Sequence, residues 1–317
     1  MKLKQFYTEI VRIGIENDPR GKEYVVKILE EQKKKYEELS EKEKKYFDYE
    51  QLNNPYADTR ILWGKDDTEV KRILVGIDIE GSEILLADRL NSSGKKIDLV
   101  LAHHPEGGAL ANLTQVMPVQ ADLLYSVGVP PSVAESLLAE RMKEVERRLL
   151  PVNHMRNVDI AKALDIPFMC AHTASDNCVT KFLTQVFQEK KPQKLQDILD
   201  ILLEFPEYQF AAKHNAGPRI LIGDKNNKAG KIYVDMTGGT EGSKDIFDKM
   251  INAGVSTLVC MHLSEEHYKK AQSAHINVII AGHIASDSLG LNLLLDEVEK
   301  KEKLEFVECS GFRRFPR

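Results

Sequence analysis

Short apolar runs that end in polar or glycine residues alternate along the chain with segments in which apolar residues recur at helical spacing. The apolar runs predict strands at 72–78, 99–102, 167–171, 219–223, 231–235, 257–260, 276–281 and 304–309, the last as an edge strand, with 219–223 and 231–235 forming a hairpin. The helical spacing predicts helices at 83–90, 111–126, 132–149, 155–164, 177–188, 195–203, 244–253, 265–274 and 289–298. This order predicts an α/β protein in which parallel strands are joined by right-handed crossovers.

Residues 1–50 differ from the rest because charged side chains dominate them and glycine is scarce. We predict a helical extension with a turn near Ser40, which packs on the main body or on another subunit. The pattern is turn-rich over 51–64 and turns irregular near Pro206. We therefore predict an extension and linker at 1–64, a first α/β half at 65–205 and a second at 206–317, with the two halves sharing one site.

Composition narrows the class of protein. The chain has 317 residues, of which 42% are hydrophobic, and its net charge is −5 without a long basic run, so nucleic acid is not an expected partner. No apolar stretch approaches the roughly 20 residues that span a bilayer, and the first residues lack an apolar signal core. Four scattered cysteines fit reduced thiols. We expect a cytoplasmic protein without a membrane partner.

The predicted strand 99–102 ends in two adjacent histidines, His103 and His104, and Pro105 then breaks the backbone. Adjacent imidazoles cannot easily chelate one ion together, but they can each serve one of two neighbouring ions. We interpret them as the first half of a two-metal site. The alternative is a loop with two surface histidines.

A repeated motif later in the chain strengthens the metal interpretation. His172 and Asp176 frame the sequence His-Thr-Ala-Ser-Asp, and His283 and Asp287 frame His-Ile-Ala-Ser-Asp. Each motif follows a predicted strand and precedes a predicted helix, so the aspartates can also be helix caps. Capping does not explain a histidine four residues earlier in both places. Together the motifs form a nitrogen and oxygen ligand set that suits transition metals better than calcium.

Other polar residues near these strand ends are further candidates, and for most of them the sequence leaves two interpretations open. Asp78 either reaches the site or caps the helix that follows. Glu106 is either a general acid or base or a solvated loop residue, and His262 is a spare ligand candidate. The glycine-rich stretch 236–243 either exposes backbone donors to a phosphate or is a flexible connection.

Taken in order, the segments 98–105, 171–176 and 282–287 resemble the motifs of the Nif-three-like proteins, and the resemblance extends over roughly residues 70–310. It implies a duplicated α/β fold with mixed sheets flanked by helices. It also implies two divalent metal ions (zinc, iron, manganese, cobalt or nickel) and a ring-shaped homohexamer.

Carried over by position, the implied metal ligands are His103, His104, Asp176, His283 and Asp287. The family usually has glutamate at the last position, and the shorter Asp287 still chelates, with an open effect on bridging geometry or metal preference. His172 then orients Asp176 or touches substrate rather than binding metal directly. The catalytic residue is unassigned, with Glu106 and His172 as candidates.

The ligand set and the resemblance favour a metal-dependent hydrolase that acts on a small nucleotide-like or phosphorylated substrate. Members of the family are often labelled "GTP cyclohydrolase I type two-like", which implies opening of a purine nucleotide ring. The alternative is a metal carrier or insertion factor that acts through a protein partner. A scaffold with structural metals ranks below both, because structural sites are usually closed. The metal, the substrate and the role of residues 1–64 stay open.

Overall fold

Two mixed sheets and their helices make up the fold in a computed structural model that describes residues 1–317. The strands are β1 (Arg60–Trp63), β2 (Arg72–Gly76), β3 (Leu99–Ala102), β4 (Phe168–Cys170), β5 (Arg219–Ile222), β6 (Lys231–Asp235), β7 (Val255–Cys260), β8 (Asn277–Ile280) and β9 (Glu305–Glu308). The helices are α1 (Leu3–Asn17), α2 (Lys22–Glu38), α3 (Glu41–Lys44), α4 (Gly81–Ser92), α5 (Gly107–Ala111), α6 (Pro118–Ser126), α7 (Pro131–Leu149), α8 (Arg156–Ala163), α9 (Thr173–Lys190), α10 (Leu195–Leu202), α11 (Pro206–Lys213), α12 (Phe247–Asn252), α13 (Glu265–Ser273) and α14 (His283–Glu299).

The two sheets share one plan. The first has the order β1-β4-β3-β2-β9 and the second β5-β8-β7-β6. In each, three consecutive strands run parallel, and the strand before them in the chain pairs antiparallel at the edge. The predicted hairpin of 219–223 with 231–235 is wrong, because β5 pairs with β8 and β6 with β7. The apolar central strands β7 and β8 need a neighbour on both sides, and β5 and β6 supply the two edges.

The duplication extends to register. Arg60 pairs with Cys170 and Arg219 with Ile280, and each edge strand is irregular before its fourth residue. The segment 60–64 reads Arg-Ile-Leu-Trp-Gly, and 219–223 reads Arg-Ile-Leu-Ile-Gly. Strand β1 lies inside the predicted linker, where a run of four half-buried residues between turn residues gives a weak strand pattern. The fold is therefore a duplicated α/β unit.

Helices α9 and α14 form the layer between the sheets. Leu291 and Leu295 of α14 pack in the core of the first sheet, whereas Ala285 and Leu289 pack in the core of the second. Gly290 permits the close approach of the two helices, since a Cβ at this position would lie 2.7 Å from the carbonyl oxygen of Ser175. This contact fixes the first turns of both helices next to each other.

The N-terminal segment is helical, as predicted, and Ser40 caps α3. Helix α1 is buried against α9 and α14 through residues such as Leu3, Phe6 and Ile10. The predicted helix 111–126 is interrupted, because a 3-10 turn follows α5 and α6 begins at Pro118.

Helix α11 lies at the predicted boundary between the two halves, where the sequence pattern is irregular. It begins at Pro206, because the first position of a helix does not need the backbone N–H that proline lacks. Segments of the two predicted halves also share layers: β9 joins the first sheet, and α6 and α7 pack with the second. None of the helices is both long enough and apolar enough to cross a bilayer.

Candidate metal centre

The site lies where the carboxyl ends of parallel strands from both sheets come together. His103 and His104 follow β3, and His172 follows β4 in the first sheet. His283 follows β8 in the second sheet, at the first position of α14. Sites in α/β proteins gather at such strand ends because the loops there leave the sheet at one edge.

Imidazole and carboxylate atoms form two adjoining groups that contain aspartate, and a third group joins His103, His104 and His172. In one, His103 Nε2 lies 3.4 Å from Asp176 Oδ1 and 3.4 Å from Asp287 Oδ1. In the other, Asp287 Oδ2 lies 3.5 Å from His283 Nε2 and 3.6 Å from His104 Nε2. Asp287 therefore directs one oxygen to each group.

Several of these buried side chains carry polar atoms without a hydrogen-bond partner in the protein. Asp176 Oδ1, His103 Nδ1 and both carboxylate oxygens of Asp287 are buried and accept or donate no hydrogen bond. A buried carboxylate without a hydrogen bond or counter-ion is strongly unfavourable. Within each group the nearest possible ligand atoms lie less than 4.8 Å apart. The residues present therefore fit a divalent metal, and the mixture of nitrogen and oxygen suits zinc or another transition metal.

The charges of the cluster also favour a cation. Burial lowers the pKa of His103, but Asp287 and Asp176 outweigh it and raise that pKa to about 10. Burial raises the pKa of Asp287, but the neighbouring histidines, led by His103, outweigh it and lower that pKa. The pKa of His283 is lowered by its burial. Positive charge between the two aspartates is thus stabilised, whether a proton or a metal ion supplies it.

Two histidines are held from outside by carboxylates. His104 Nδ1 lies 2.6 Å from Asp78 Oδ1, and His172 Nδ1 lies 2.9 Å from Asp58 Oδ2. Asp58 is fully buried and also accepts a 2.6 Å hydrogen bond from the hydroxyl of Thr173. A carboxylate on the outer ring nitrogen fixes the ring and its tautomer, so the inner Nε2 can face a metal.

Comparison with solved structures identifies proteins of the same fold. A crystal structure of a NIF3 superfamily protein from Sphaerobacter thermophilus matches 80% of this chain and 91% of its own, with 28% sequence identity and a TM-score of 0.70. This likeness supports the Nif-three-like family that the sequence motifs predict. Reduced HcgD from Methanocaldococcus jannaschii is 15% identical, with a TM-score of 0.51 over 79% of this chain and 87% of that one, and shares the fold. No family model and no curated protein sequence matches the chain.

The Nif-three-like fold brings all five predicted ligands together, and their role as ligands stays a prediction. His172 lies beside them, with Nε2 3.7 Å from Asp176 Oδ2. Glu106 lies outside both groups at the start of α5, where burial raises its pKa. Asp78 reaches the site through His104, which decides between its two readings.

Asp235, Glu241 and His262 form a second wall of polar residues beside the cluster. From the sequence, His262 was named as a spare ligand candidate, and the two carboxylates were not named as site residues. The ring of His262 lies 4.7 Å from the ring of His283, and its Nδ1 lies 3.4 Å from Glu241 Oε1. A cavity of about 110 Å³ lies beside the cluster, and Asp235, at the end of β6, lines it together with Glu241 and His262. Burial, with Glu241 nearby, raises the pKa of Asp235 to about 6. The available signal was that Asp235 ends the predicted strand 231–235, that Glu241 lies in the glycine-rich stretch after it, and that His262 follows the predicted strand 257–260.

Asp58 was also missed by the sequence reasoning. It lies in the predicted linker, and it reaches His172 only because β1 pairs with β4. The one signal in the sequence was its position just before 60–64, the segment that is repeated at 219–223.

Proposed function

We propose that the chain binds two divalent metal ions at one centre that its two halves, 65–205 and 206–317, share. His103, Asp176 and Asp287 bind one ion, and His104, His283 and Asp287 bind the other. The observation that supports this is the set of buried aspartate oxygens that accept no hydrogen bond from the protein. The donor set fits zinc, iron, manganese, cobalt or nickel.

We further propose that the activity is metal-dependent hydrolysis of a small nucleotide-like or phosphorylated substrate. A bound pair of divalent ions lowers the pKa of water and polarises an oxygen of the substrate. The partial exposure of the His104 and His283 side chains, 26% and 38%, supports access by a small molecule. A purely structural site would normally be closed to solvent.

Among the protein groups, His172 is the one we propose to orient Asp176 and to contact the substrate. Asp58 and the Thr59 hydroxyl, which accepts a 3.1 Å hydrogen bond from the His172 N–H, hold it in place. His172 also lines the cavity beside the cluster. Glu106 does not line it, so its position does not support a role as general acid or base.

The direct test is turnover by protein loaded separately with each candidate metal, with nucleotides and phosphoesters as substrates. We expect hydrolysis that requires metal, that is lost in His103→Ala and that is kept in Asp248→Asn, an exposed residue on α12. Hydrolysis that persists in His103→Ala after its metal is gone would exclude this mechanism. Reversible metal release without turnover, together with pull-down of one metalloenzyme, would favour the metal carrier instead.

A further inference from the structure

The cavity beside the cluster has two polar walls. The first contains proposed ligands, Asp176, His283 and Asp287, and the second contains Asp235, Glu241 and His262. Among the lining residues are four carboxylates and no lysine or arginine. The space between the walls is lined by apolar side chains that include Ile246, Phe247, Met250 and Leu258. A molecule that reaches the metal cluster through this cavity therefore meets hydrogen-bond acceptors on the second wall.

Asp235 is the free acceptor of the second wall. It ends β6 in register with Cys260, which ends β7, so the carboxylate lies at the carboxyl edge of the second sheet. Its side chain is half-buried in the cavity wall near Glu241 and His262, and no protein group donates a hydrogen bond to it. A partly buried carboxylate without a donor gains from a ligand that donates hydrogen bonds.

Glu241 adds a second, fixed negative charge. It accepts a 2.7 Å hydrogen bond from the Ser264 N–H and lies near two imidazoles, 3.4 Å from His262 Nδ1 and 3.5 Å from His267 Nδ1. The cation Arg141 does not neutralise this side chain, because its Nε donates to the carbonyl oxygen of Glu241 and its Nη1 pairs with Glu144 at 2.9 Å. The second wall therefore has two carboxylates, of which Glu241 has imidazole partners and Asp235 has no hydrogen-bond donor.

The neighbouring glycine-rich loop, 236–243, does not offset this charge. The side-chain amide of Gln120 donates to the carbonyl oxygens of Gly238 and Thr240 at 2.9 Å and 2.6 Å. The loop residues include no lysine or arginine, so the loop adds no positive side chain. It leads into α12, a helix of only six residues, which gives it little of the dipole that favours phosphate at longer helices.

We propose that Asp235 and Glu241 form a binding subsite for a substrate group with N–H donors, of the amidine, guanidine or amino-heterocycle class. An amidinium donates two parallel N–H bonds to one carboxylate, which is a strong and directional pairing. A phosphate or carboxylate at the same wall would face two like charges. The inference rests on the proposed function in one respect, namely that the same molecule presents its reacting group to the metal cluster.

The test is calorimetric titration of metal-loaded protein with benzamidine and with benzoate, which have similar shapes and opposite charges. We expect benzamidine to bind, and its affinity to fall at least tenfold in Asp235→Asn and in Glu241→Gln. Asp248→Asn, the same change at an exposed position of α12, leaves the affinity unchanged. Benzoate, which can reach the metals, does not lose affinity in Asp235→Asn.

Metal content, measured on the same samples, separates this inference from the proposed function. Asp235→Asn that keeps its metals and loses benzamidine supports the subsite. If neither the unmodified protein nor the variant holds metal, loss of benzamidine binding in Asp235→Asn still supports the subsite, and the absence of metal excludes the metal mechanism. The subsite is wrong if benzamidine does not bind the unmodified protein, if Asp235→Asn binds it equally well, or if benzoate affinity falls in that variant.

Discussion

Asp287 has no exposed surface, and its two oxygens face different histidines, His103 on one side and His104 with His283 on the other. A side chain that serves two ions at once has to be held rigidly, because a shift of either oxygen changes both groups. Its position in the first turns of α14, four residues after His283, provides that rigidity. Asp176 has the same relation to His172 on α9.

The carboxylates outside the cluster give the first prediction. Asp58→Asn removes the charge that holds His172 and disturbs the hydrogen bond from Thr173, so we expect a loss of about 1–3 kcal/mol in the free energy of unfolding. Metal affinity is also expected to fall, because His172, which Asp58 holds, in turn orients the proposed ligand Asp176. Denaturant titration and chelator competition measure the two effects.

Asp78→Asn is the matched control for stability. Asp78 holds His104 in the same manner, but its side chain is 60% exposed, so unfolding free energy changes by less than about 0.5 kcal/mol while metal affinity still falls. Equal stability loss in both variants would mean that burial does not distinguish the two carboxylates. Unchanged metal affinity in both would show that neither carboxylate supports the site.

The sequence predicted the residues of the cluster better than their supports. Clear apolar strand patterns and the repeated His-x-Ala-Ser-Asp motif indicated the candidates, and the family resemblance selected His103, His104, Asp176, His283 and Asp287 among them. Supports such as Asp58 and the second-wall residues Asp235 and Glu241 were not found, because long-range strand pairing and loop geometry decide which ring a carboxylate meets. Whether the five cluster residues bind metal stays a prediction.

At the scale of elements, the site depends on how closely α9 and α14 pack. Gly290 lies against Ser175, which directly precedes Asp176, and Asp287 lies one helical turn before Gly290. The close contact therefore positions both carboxylates at once. It also explains a glycine in the middle of a helix, where the residue otherwise costs stability.

Gly290→Ala tests this packing. The added Cβ would meet backbone, which cannot move away as a flexible side chain can, so we expect a loss of about 1–3 kcal/mol in unfolding free energy and weaker metal binding. Gly108→Ala in α5 is the control, since a Cβ there meets nothing within 4 Å. We expect that change to be neutral or stabilising by up to about 1 kcal/mol. Similar outcomes for both variants would contradict the packing argument.

Strand order shows the limit of local pattern. The buried strands β3, β7 and β8 were predicted at or within two residues of their bounds, because each is a short apolar run between turn residues. The edge strand β1 and the partners of β5 and β6 were not. Edge strands are half exposed and take their partners from the whole sheet, so their own residues say little about pairing.

At the scale of the molecule, the two sheets meet through a central layer that ends in buried, unpaired carboxylates. Metal binding should therefore stabilise the whole fold. At a free metal concentration 100 times the Kd, a single site adds about 2.7 kcal/mol if the unfolded chain does not bind. We expect chelator treatment to lower the thermal unfolding midpoint and added metal to restore it. A midpoint insensitive to both would contradict linkage between the cluster and the fold.

Assembly gives a further prediction, which comes from the family resemblance. We expect a homohexamer, so light scattering coupled to size-exclusion chromatography should give a mass about six times the 35.9 kDa of one chain. A mass of one or two chains at micromolar concentration would exclude the hexamer. It would leave the cluster unaffected, since all of its residues come from one chain.

Elemental analysis of protein purified without chelators measures whether two metal ions share Asp287. We expect about two ions per chain, loss of both in Asp287→Asn, and loss of about one in Asp176→Asn, because only Asp287 faces both groups. Asp248→Asn keeps both ions. Protein without metal after incubation with each candidate ion, or full metal content in Asp287→Asn, would show that Asp287 does not hold two ions.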